Sequence, residues 1–162
     1  MKEKYFSIAI RLKDKKALIV GGGEVAERKA KTMLDFGARV RVVSPTLTTA
    51  LKGLVKSGKI KWLNRPVRSP DVKGVDIIIA ATSSTGINRK ISHWAKRQGI
   101  LVNVVDNAEL SSFISPAVAT IDKAVISVQT NGRQPELSRD IKNFLKENWD
   151  VFLSYRRRLQ NR

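Results

Sequence analysis

The sequence predicts an α/β fold built on a doubly wound, mostly parallel sheet, and three observations predict it. Short apolar runs alternate along the chain with stretches whose apolar residues recur at helical spacing. The apolar runs are continuous, which is typical of parallel strands buried on both faces. The connections between these elements are short, so the chain follows the β-α-β order of this fold class.

The first 58 residues are predicted to form three strands and two helices. Apolar runs predict the strands, over residues 5–12, 16–22 and 38–45. The first helix covers residues 23–37, because its apolar residues recur at helical spacing and Gly37 ends it. The second helix covers residues 46–58 and ends at Gly58.

Three further strands and one helix are predicted up to Asp106. The strands cover residues 60–67, 75–84 and 100–106. The helix lies between the last two strands and covers residues 85–99. Counted from Lys16, the order is therefore β-α-β-α-β-β-α-β, which favours a Rossmann-like sheet.

The sequence changes character after Asp106. No stretch before residue 135 is long enough for a crossover helix, and residues 124–132 are predicted as a strand ended by a turn. From Pro135 to residue 159 apolar residues again recur at helical spacing, which predicts one long helix or two. Such an amphipathic segment needs a surface to pack on, either its own sheet or a second copy of the chain.

The composition of the chain excludes several classes of function. The chain has 162 residues, no cysteine, and no apolar run near the ~20 residues that a membrane helix needs, so no membrane partner is expected. Residues 1–16 are too charged for a signal peptide, which favours a cytoplasmic protein. The net charge of +17 suits a polyanionic partner, although a solvated basic surface explains it equally. Aromatic residues do not interleave with basic ones, so no nucleic-acid partner is expected.

A glycine-rich turn joins the strand over residues 16–22 to the first helix. Its residues, Gly21-Gly22-Gly23-Glu24-Val25-Ala26, fit the dinucleotide fingerprint G-x-G-x-x-G/A. In that fingerprint Gly21 allows the tight turn, Gly23 lets the backbone approach a pyrophosphate, and Ala26 keeps the helix close to the sheet. The pyrophosphate would lie at the N-terminus of the helix, where free N–H groups point. A glycine turn needed only for packing is the alternative.

The sequence specifies the ribose side of the cofactor less clearly. An NAD site often has Asp or Glu at the end of the second strand, but that position here is near Ser44. Arg39 and Arg41 are nearby in the sequence and suit a 2′-phosphate, so the residues leave NAD and NADP open. After the strand that begins at residue 75, the small side chain of Thr82 would let a cofactor lie across the sheet.

Asp106 ends the last predicted strand of the sheet, on the side where ligands bind in such folds. We expect it to act as a general acid or base or to orient the substrate, with a simple loop cap as the alternative. His93 is the only histidine and lies inside a predicted helix, where a structural role is the more common one. With one histidine and no cysteine, no metal site is expected.

Four segments carry a resemblance to a known family. They are LIVGGGEVAERKAKTMLDFGARVRVVSP, DIIIAATSSTGINRKI, VNVVDNAELSSFISPA and ISVQTNGRQPELSRDIK. In this order and spacing they resemble the precorrin-2 dehydrogenase family, which includes the amino-terminal module of siroheme synthase. The glycine turn is shared with many folds, whereas the combination of NVVD, SFISPA and NGRQPELSR is much more specific.

The resemblance implies an NAD-dependent oxidoreductase that oxidises precorrin-2 to sirohydrochlorin in siroheme biosynthesis. It implies Asp106 as a catalytic residue and a set of cofactor-binding residues, namely Gly21, Gly23, Glu24, Val25, Ser44, Pro45 and Thr82. It also implies a homodimer, with an NAD-binding domain over residues 1–111 and a dimerisation and helical segment over residues 112–162. The tetrapyrrole substrate carries several carboxylates, which would give the basic charge a role.

Other functions stay open at this point. Some members of the family also insert ferrous iron, and longer members carry further helices that help cover the tetrapyrrole, so ferrochelatase activity is left open. The alternatives are another enzyme on the same fold with a different polyanionic substrate, and a dinucleotide-sensing regulatory domain without catalysis. Whether Asp106 acts as a base or positions the substrate is open as well.

Overall fold

A computed structural model describes residues 5–105 and 107–160. The described residues divide into two compact units, one over residues 6–113 and the other over residues 114–160 with Tyr5. The glycine-rich turn lies in the first of these units.

The unit Phe6–Phe113 is built on a five-stranded sheet in which every pair of neighbours is parallel. The strands are β1 Lys16–Val20, β2 Arg39–Val43, β3 Ile60–Leu63, β4 Ile77–Ala80 and β5 Leu101–Val104. Their order across the sheet is β3-β2-β1-β4-β5. The helices are α1 Glu24–Asp35, α2 Thr49–Lys56 and α3 Thr85–Arg97, with a 3₁₀ helix at Ser69–Val72. The predicted Rossmann-like, doubly wound sheet is therefore confirmed.

Alternate residues of each strand enter two separate apolar clusters, one on each face of the sheet. Ile19 packs on the face covered by α1 and α2, where Ala26 and Leu51 are buried. Leu18 packs on the opposite face, with Ile91 of α3. Each fully buried Ile or Leu side chain contributes about 1.5–3 kcal/mol to folding. These contacts fix the helices against the strands, so the strand ends that carry the candidate site are held in place.

The structure corrects four of the predicted elements. Residues 5–12, all of them described, form no strand, and the alternating Phe6, Ile8 and Ile10 are exposed. Alternation predicts a strand only where a neighbouring strand completes its hydrogen bonds, and the five-stranded sheet does not include this segment. The predicted strands over residues 60–67, 75–84 and 100–106 end early, at Leu63, Ala80 and Val104.

The second unit contains an antiparallel hairpin and two helices. The elements are β6 Ala117–Ile121, β7 Ala124–Val128, α4 Pro135–Glu147 and α5 Trp149–Gln160. The sequence analysis did not predict β6, although Asp122 and Lys123 form a two-residue hairpin loop with Asp122 at φ 50°. The question of one helix or two is answered by a break at Asn148, whose side-chain amide donates to the carbonyl of Phe144 at 2.9 Å.

Candidate dinucleotide-binding site

Gly21 makes the turn that leaves β1 at the carboxyl end of the sheet. Its φ of +124° lies in the left-handed region that favours glycine, and its N–H donates to the carbonyl of Val43 at 3.1 Å. A Cβ at this position would lie 2.3 Å from the carbonyl oxygen of Ala81. The turn therefore lies against the ends of both β2 and β4, and only glycine fits it.

Gly22 is as constrained as Gly21, although the fingerprint allows any residue at its position. A Cβ on Gly22 would lie 1.8 Å from the carbonyl oxygen of Thr46. The carbonyl of Gly22 also accepts a hydrogen bond from the backbone N–H of Thr48 at 2.9 Å. The loop after β2 thus packs directly on the glycine turn, which the local sequence pattern did not indicate.

Gly23 is exposed and stands immediately before α1, and it is the open part of the turn. A Cβ built on it would meet no heavy atom within 4 Å, and no side chain caps the helix there. The first N–H groups of an α-helix have no partner within the helix, so this opening suits a ligand that brings acceptor oxygens. Ala26 is fully buried one turn later and lets α1 lie close to the sheet. The residues present therefore fit a pyrophosphate.

A hydrogen-bond network around Glu27 connects α1 to Thr48, whose N–H bonds to the glycine turn. The Thr48 hydroxyl donates to one carboxylate oxygen of Glu27 at 2.7 Å, and Lys31 donates to the other at 2.6 Å. These two bonds hold the pKa of Glu27 below its ordinary value, so the carboxylate stays charged at neutral pH. Thr48 also caps α2 by accepting from the N–H of Leu51 at 3.2 Å. Sequence reasoning missed both residues, and a Thr directly before a helix is the signal that could have found Thr48.

Ser44 follows β2 and is buried, with Pro45 exposed beside it. Its carbonyl accepts from the indole N–H of Trp62 at 2.9 Å. The hypothesis that Arg39 and Arg41 face a 2′-phosphate here is wrong. Arg39 begins β2, at the opposite end of the strand, and pairs with Asp14 at 2.8 Å. Arg41 lies in mid-strand, where its guanidinium donates to the carbonyl of Asp71 at 2.8 Å.

Thr82 follows β4 and is held by a side chain that the sequence analysis missed, the buried Asn88 of α3. The Thr82 hydroxyl donates to the Asn88 side-chain oxygen at 2.7 Å, and the Asn88 amide donates back to the Thr82 carbonyl at 3.0 Å. The same hydroxyl accepts from the N–H of Ser84 at 3.2 Å. The loop after β4 is therefore rigidly shaped next to the turn at Gly21. Asn88 lies only six residues after Thr82, in the first turn of α3.

Asp106 lies outside the described residues, but the residues around it are described. On either side, Val104 and Asn107 form an isolated antiparallel bridge, and the N–H of Asn107 donates to the carbonyl of Val104 at 3.2 Å. The Ser111 hydroxyl accepts from the N–H of Val104 and donates to the carbonyl of Asn107, both at 2.8 Å. One serine thus connects the two residues that flank the segment 105–106.

Ser112 bonds to β5 in the same way as Ser111, two residues earlier in the strand, at Val102. Its hydroxyl accepts from the N–H of Val102 at 2.8 Å, and its own N–H donates to the Val102 carbonyl at 2.7 Å. The buried Asn103 donates to the carbonyl of Phe113 at 3.1 Å, and Ser92 of α3 donates to the carbonyl of Leu110 at 2.5 Å. The loop after β5 is therefore fastened to both β5 and α3.

His93 is exposed on α3. Within residues 5–105 and 107–160, no group of three or more His, Cys, Asp and Glu side chains is arranged to hold a metal ion. In the same described part of the chain, every helix is too short or too polar to cross a membrane.

Comparison with known proteins gives the chain its family. Residues 8–117 match the model of a family described as "Putative NAD(P)-binding". Siroheme synthase 1 of Aeromonas salmonicida (strain A449) is 39% identical over 142 residues, which are 88% of this chain and 30% of that protein. Siroheme synthase of Pseudomonas aeruginosa (strain UCBPP-PA14) is 43% identical over 138 residues, or 85% of this chain and 30% of that protein. The chain thus spans about a third of the length of these curated relatives.

A solved structure gives the same indication. The protein named "SirC, precorrin-2 dehydrogenase" superposes with a TM-score of 0.76 and is 27% identical. The superposition covers 89% of this chain and 71% of that one. These similarities confirm the resemblance predicted from the sequence motifs. Since the family model covers most of the first unit, including the glycine turn, the chain belongs to this NAD(P)-binding family.

Proposed function

We propose that the chain is an NAD-dependent precorrin-2 dehydrogenase, which oxidises precorrin-2 to sirohydrochlorin in siroheme biosynthesis. The observation that carries the proposal is the likeness to SirC over 89% of the chain. The siroheme synthase relatives support it, because they match the segment that contains both the glycine turn and the motifs around Asp106. These relatives do not favour the alternative of a dinucleotide-sensing domain.

The cofactor would lie along the carboxyl end of the sheet. Its pyrophosphate would contact the N-terminus of α1, where Gly23 leaves the space open. The residues proposed to contact it follow three parallel strands or open α1, and they are Gly21, Gly23, Glu24, Val25, Ser44, Pro45 and Thr82. When bound, NAD supplies a nicotinamide that accepts a hydride. The part of this chain is to hold the two reactants in contact and to receive or direct a proton.

Asp106 is proposed as the residue that works on the tetrapyrrole. Oxidation of precorrin-2 to sirohydrochlorin removes a hydride and a proton, so a carboxylate at the reacting ring can take the proton or orient the ring. Asp106 follows β5, and the carboxyl ends of parallel strands meet at the same side of a sheet. The bonds of Ser111 to Val104 and Asn107 hold the two residues on either side of positions 105–106.

The charge of the chain suits the proposed substrate. A net charge of +17 creates a field that attracts a small molecule with several carboxylates. Such attraction is screened by salt, so the association of substrate should weaken as ionic strength rises. The chain is proposed to act in the cytoplasm.

The second unit is proposed to form a homodimer. Its helices α4 and α5 expose a set of large apolar side chains, namely Leu137, Phe144, Val151, Phe152, Tyr155 and Leu159. Ala119 is its one buried hydrophobic residue in the described part of the chain. A surface with this much exposed apolar area is typical of a protein–protein interface. The proposed dimerisation and helical segment, residues 112–162, includes both helices.

The test is an anaerobic assay with precorrin-2 that follows reduced nicotinamide and the tetrapyrrole spectrum together. With NAD, both signals should rise in parallel, and the variant Asp106→Asn should lower the rate at least about a hundredfold. Glu109→Gln is the matched control, because it removes an exposed carboxylate three residues away and should leave the rate unchanged. Addition of ferrous iron to the product in the same assay tests for chelatase activity.

Each outcome bears on a different part of the proposal. Full activity of Asp106→Asn would leave the enzyme but remove that residue from its chemistry. No turnover by folded protein with NAD or NADP would contradict the dehydrogenase function and favour a dinucleotide sensor.

A further inference from the structure

Asp71 is a buried carboxylate that holds an arginine beside the candidate site. It lies in the 3₁₀ helix after β3 and is 7% exposed. Its two oxygens accept from the two terminal nitrogens of Arg65, at 2.6 and 2.8 Å. The backbone N–H of Arg68 donates to the same carboxylate at 2.7 Å. The arrangement is a bidentate ion pair with a third donor, which is the strongest form of this contact.

Arg65 lies next to the end of β2. The carbonyl of Leu63, the last residue of β3, accepts both from the N–H of Ser44 at 3.3 Å and from the N–H of Arg65 at 2.9 Å. In Rossmann-type sites the residue at the end of the second strand meets the ribose that carries the 2′-phosphate of NADP. The backbone of Arg65 therefore lies next to the end of β2, where that phosphate would lie.

The end of β2 has no carboxylate to repel a 2′-phosphate. Ser44 is neutral, so selection for NAD has to come from elsewhere in the site. An arginine in this region ordinarily accommodates the phosphate of NADP. Here three N–H groups of Arg65 point away from a 2′-phosphate, two donating to Asp71 and one, from Nη1, donating to the carbonyl of Pro66 at 3.0 Å. Arg41, on the neighbouring strand, donates to the backbone carbonyl of the same Asp71.

We propose that Asp71 is a positioning residue that makes this site prefer NAD over NADP, by pairing Arg65 against the 3₁₀ helix and away from a 2′-phosphate. The proposal depends on the proposed function only in requiring that the site binds a dinucleotide. It assigns selectivity to a residue outside the fingerprint, 27 positions after Ser44.

The test measures the dissociation constants of NAD and NADP by titration calorimetry. Asp71→Asn keeps the size of the side chain but removes the charge that fixes Arg65. Its affinity for NADP relative to NAD should rise about tenfold, the effect of one charge-assisted hydrogen bond to phosphate. The double variant Asp71→Asn/Arg65→Gln should lose that gain. A merely structural role of Asp71 would instead weaken both cofactors together.

Asp76→Asn is the matched control. Asp76 also accepts from one basic side chain and one backbone N–H, from Lys15 at 3.2 Å and Lys16 at 2.8 Å, but before β4 at the other end of the sheet. Its substitution should leave the NADP-to-NAD ratio within twofold of the wild type. A rise as large as that of Asp71→Asn would mean that any lost negative charge acts on the phosphate, and would overturn the proposal.

Three further results would decide the matter. An unchanged ratio in folded Asp71→Asn overturns the inference while leaving the proposed function intact. If wild-type protein binds neither dinucleotide, the proposed function fails and the inference with it. Arg65→Gln alone tests the same idea without the buried substitution. It should leave NADP affinity unchanged, and a loss of that affinity would show that Arg65 already contacts the phosphate.

Discussion

The two ends of the parallel sheet hold their charges differently. At the amino end, Arg39 pairs with Asp14 across side chains that are 71% and 63% exposed. At the carboxyl end, Arg65 pairs with an Asp71 that is 7% exposed. Exposed pairs contribute about 0–1 kcal/mol, whereas breaking a buried pair costs several. The contrast indicates that the carboxyl end, where the glycine turn lies, is the end whose geometry is strongly determined.

The largest effect is expected from two neighbouring glycines of the carboxyl end. Gly22→Ala brings a Cβ against the Thr46 carbonyl and should lower the free energy of unfolding by about 3 kcal/mol. Gly23→Ala meets no atom and should cost less than about 1 kcal/mol, but its methyl fills the space proposed for the pyrophosphate. NAD affinity should therefore fall at least about tenfold in a protein of near-normal stability. Urea unfolding measures the stability of the two variants, and calorimetric titration measures their affinity for NAD. Unchanged NAD affinity in Gly23→Ala would contradict the proposed position of the pyrophosphate.

A smaller loss is expected from the serine that fastens the loop after β5. Ser111→Ala leaves the buried N–H of Val104 without its hydroxyl acceptor, which should cost about 1–3 kcal/mol. Ser111→Thr keeps the hydroxyl and should recover most of that loss. Ser57→Ala, which removes an exposed hydroxyl bonded to Leu54 after α2, should cost less than about 0.5 kcal/mol. Chemical denaturation compares the three, and equal losses in Ser111→Ala and Ser57→Ala would show that Ser111 has no special role.

The stability of the fold in acid should depend on the buried ion pair at the carboxyl end. Hydrogen bonds from Arg65 and from the N–H of Arg68 hold the pKa of Asp71 below its ordinary value. A carboxyl whose pKa is lower in the folded than in the unfolded state stabilises the fold above its unfolded pKa of about 3.9. That contribution is lost as pH falls through the lower, folded value. The unfolding free energy of Asp71→Asn should therefore fall less steeply than that of the wild type below about pH 4. Parallel curves in urea titrations from pH 7 to pH 3 would contradict this.

The smallest effect is expected at the amino end. Arg39→Ala removes the exposed pair with Asp14 and should change the unfolding free energy by no more than about 0.5 kcal/mol. NAD binding should stay unchanged, because Arg39 begins β2 and the candidate site follows its last residue. Thermal unfolding and calorimetry check both. A loss of cofactor affinity would mean that the two ends of the sheet are coupled.

The parts of the site that could be predicted from the sequence depend on local backbone geometry. Gly21 was recognisable because a tight turn with positive φ favours glycine, and Gly23 because the fingerprint leaves out a side chain where a pyrophosphate would approach the backbone. Asn88, Ser111 and Asp71 were not predicted, although each bonds to a residue only six or seven positions away, because the partners meet only when the loop between them has its folded shape. Their partners, at Thr82, Val104 and Arg65, carry no pattern that would connect them along the chain.

The same distinction explains the elements of the fold. The buried strands β1 and β4 were predictable from continuous apolar runs, since burial on both faces leaves one dominant signal. The segment 5–12 has the alternation of a strand, but alternation cannot say whether a partner strand exists. β6 has a mixture of small and branched residues, and it was recognisable only through its pairing with β7.

The hydroxyls of Ser111 and Ser112, which bond to β5 from the loop after it, have a consequence for self-association. β5 is the last strand on its side of the sheet, and such a strand ordinarily offers free N–H and C=O groups to any passing chain. Here the N–H groups of Val104 and Val102, to which a sixth strand would bond, donate instead to the hydroxyls of Ser111 and Ser112. Growth of the sheet by strand addition, a common route to amyloid-like aggregation, is therefore blocked at this border by side chains of the protein itself.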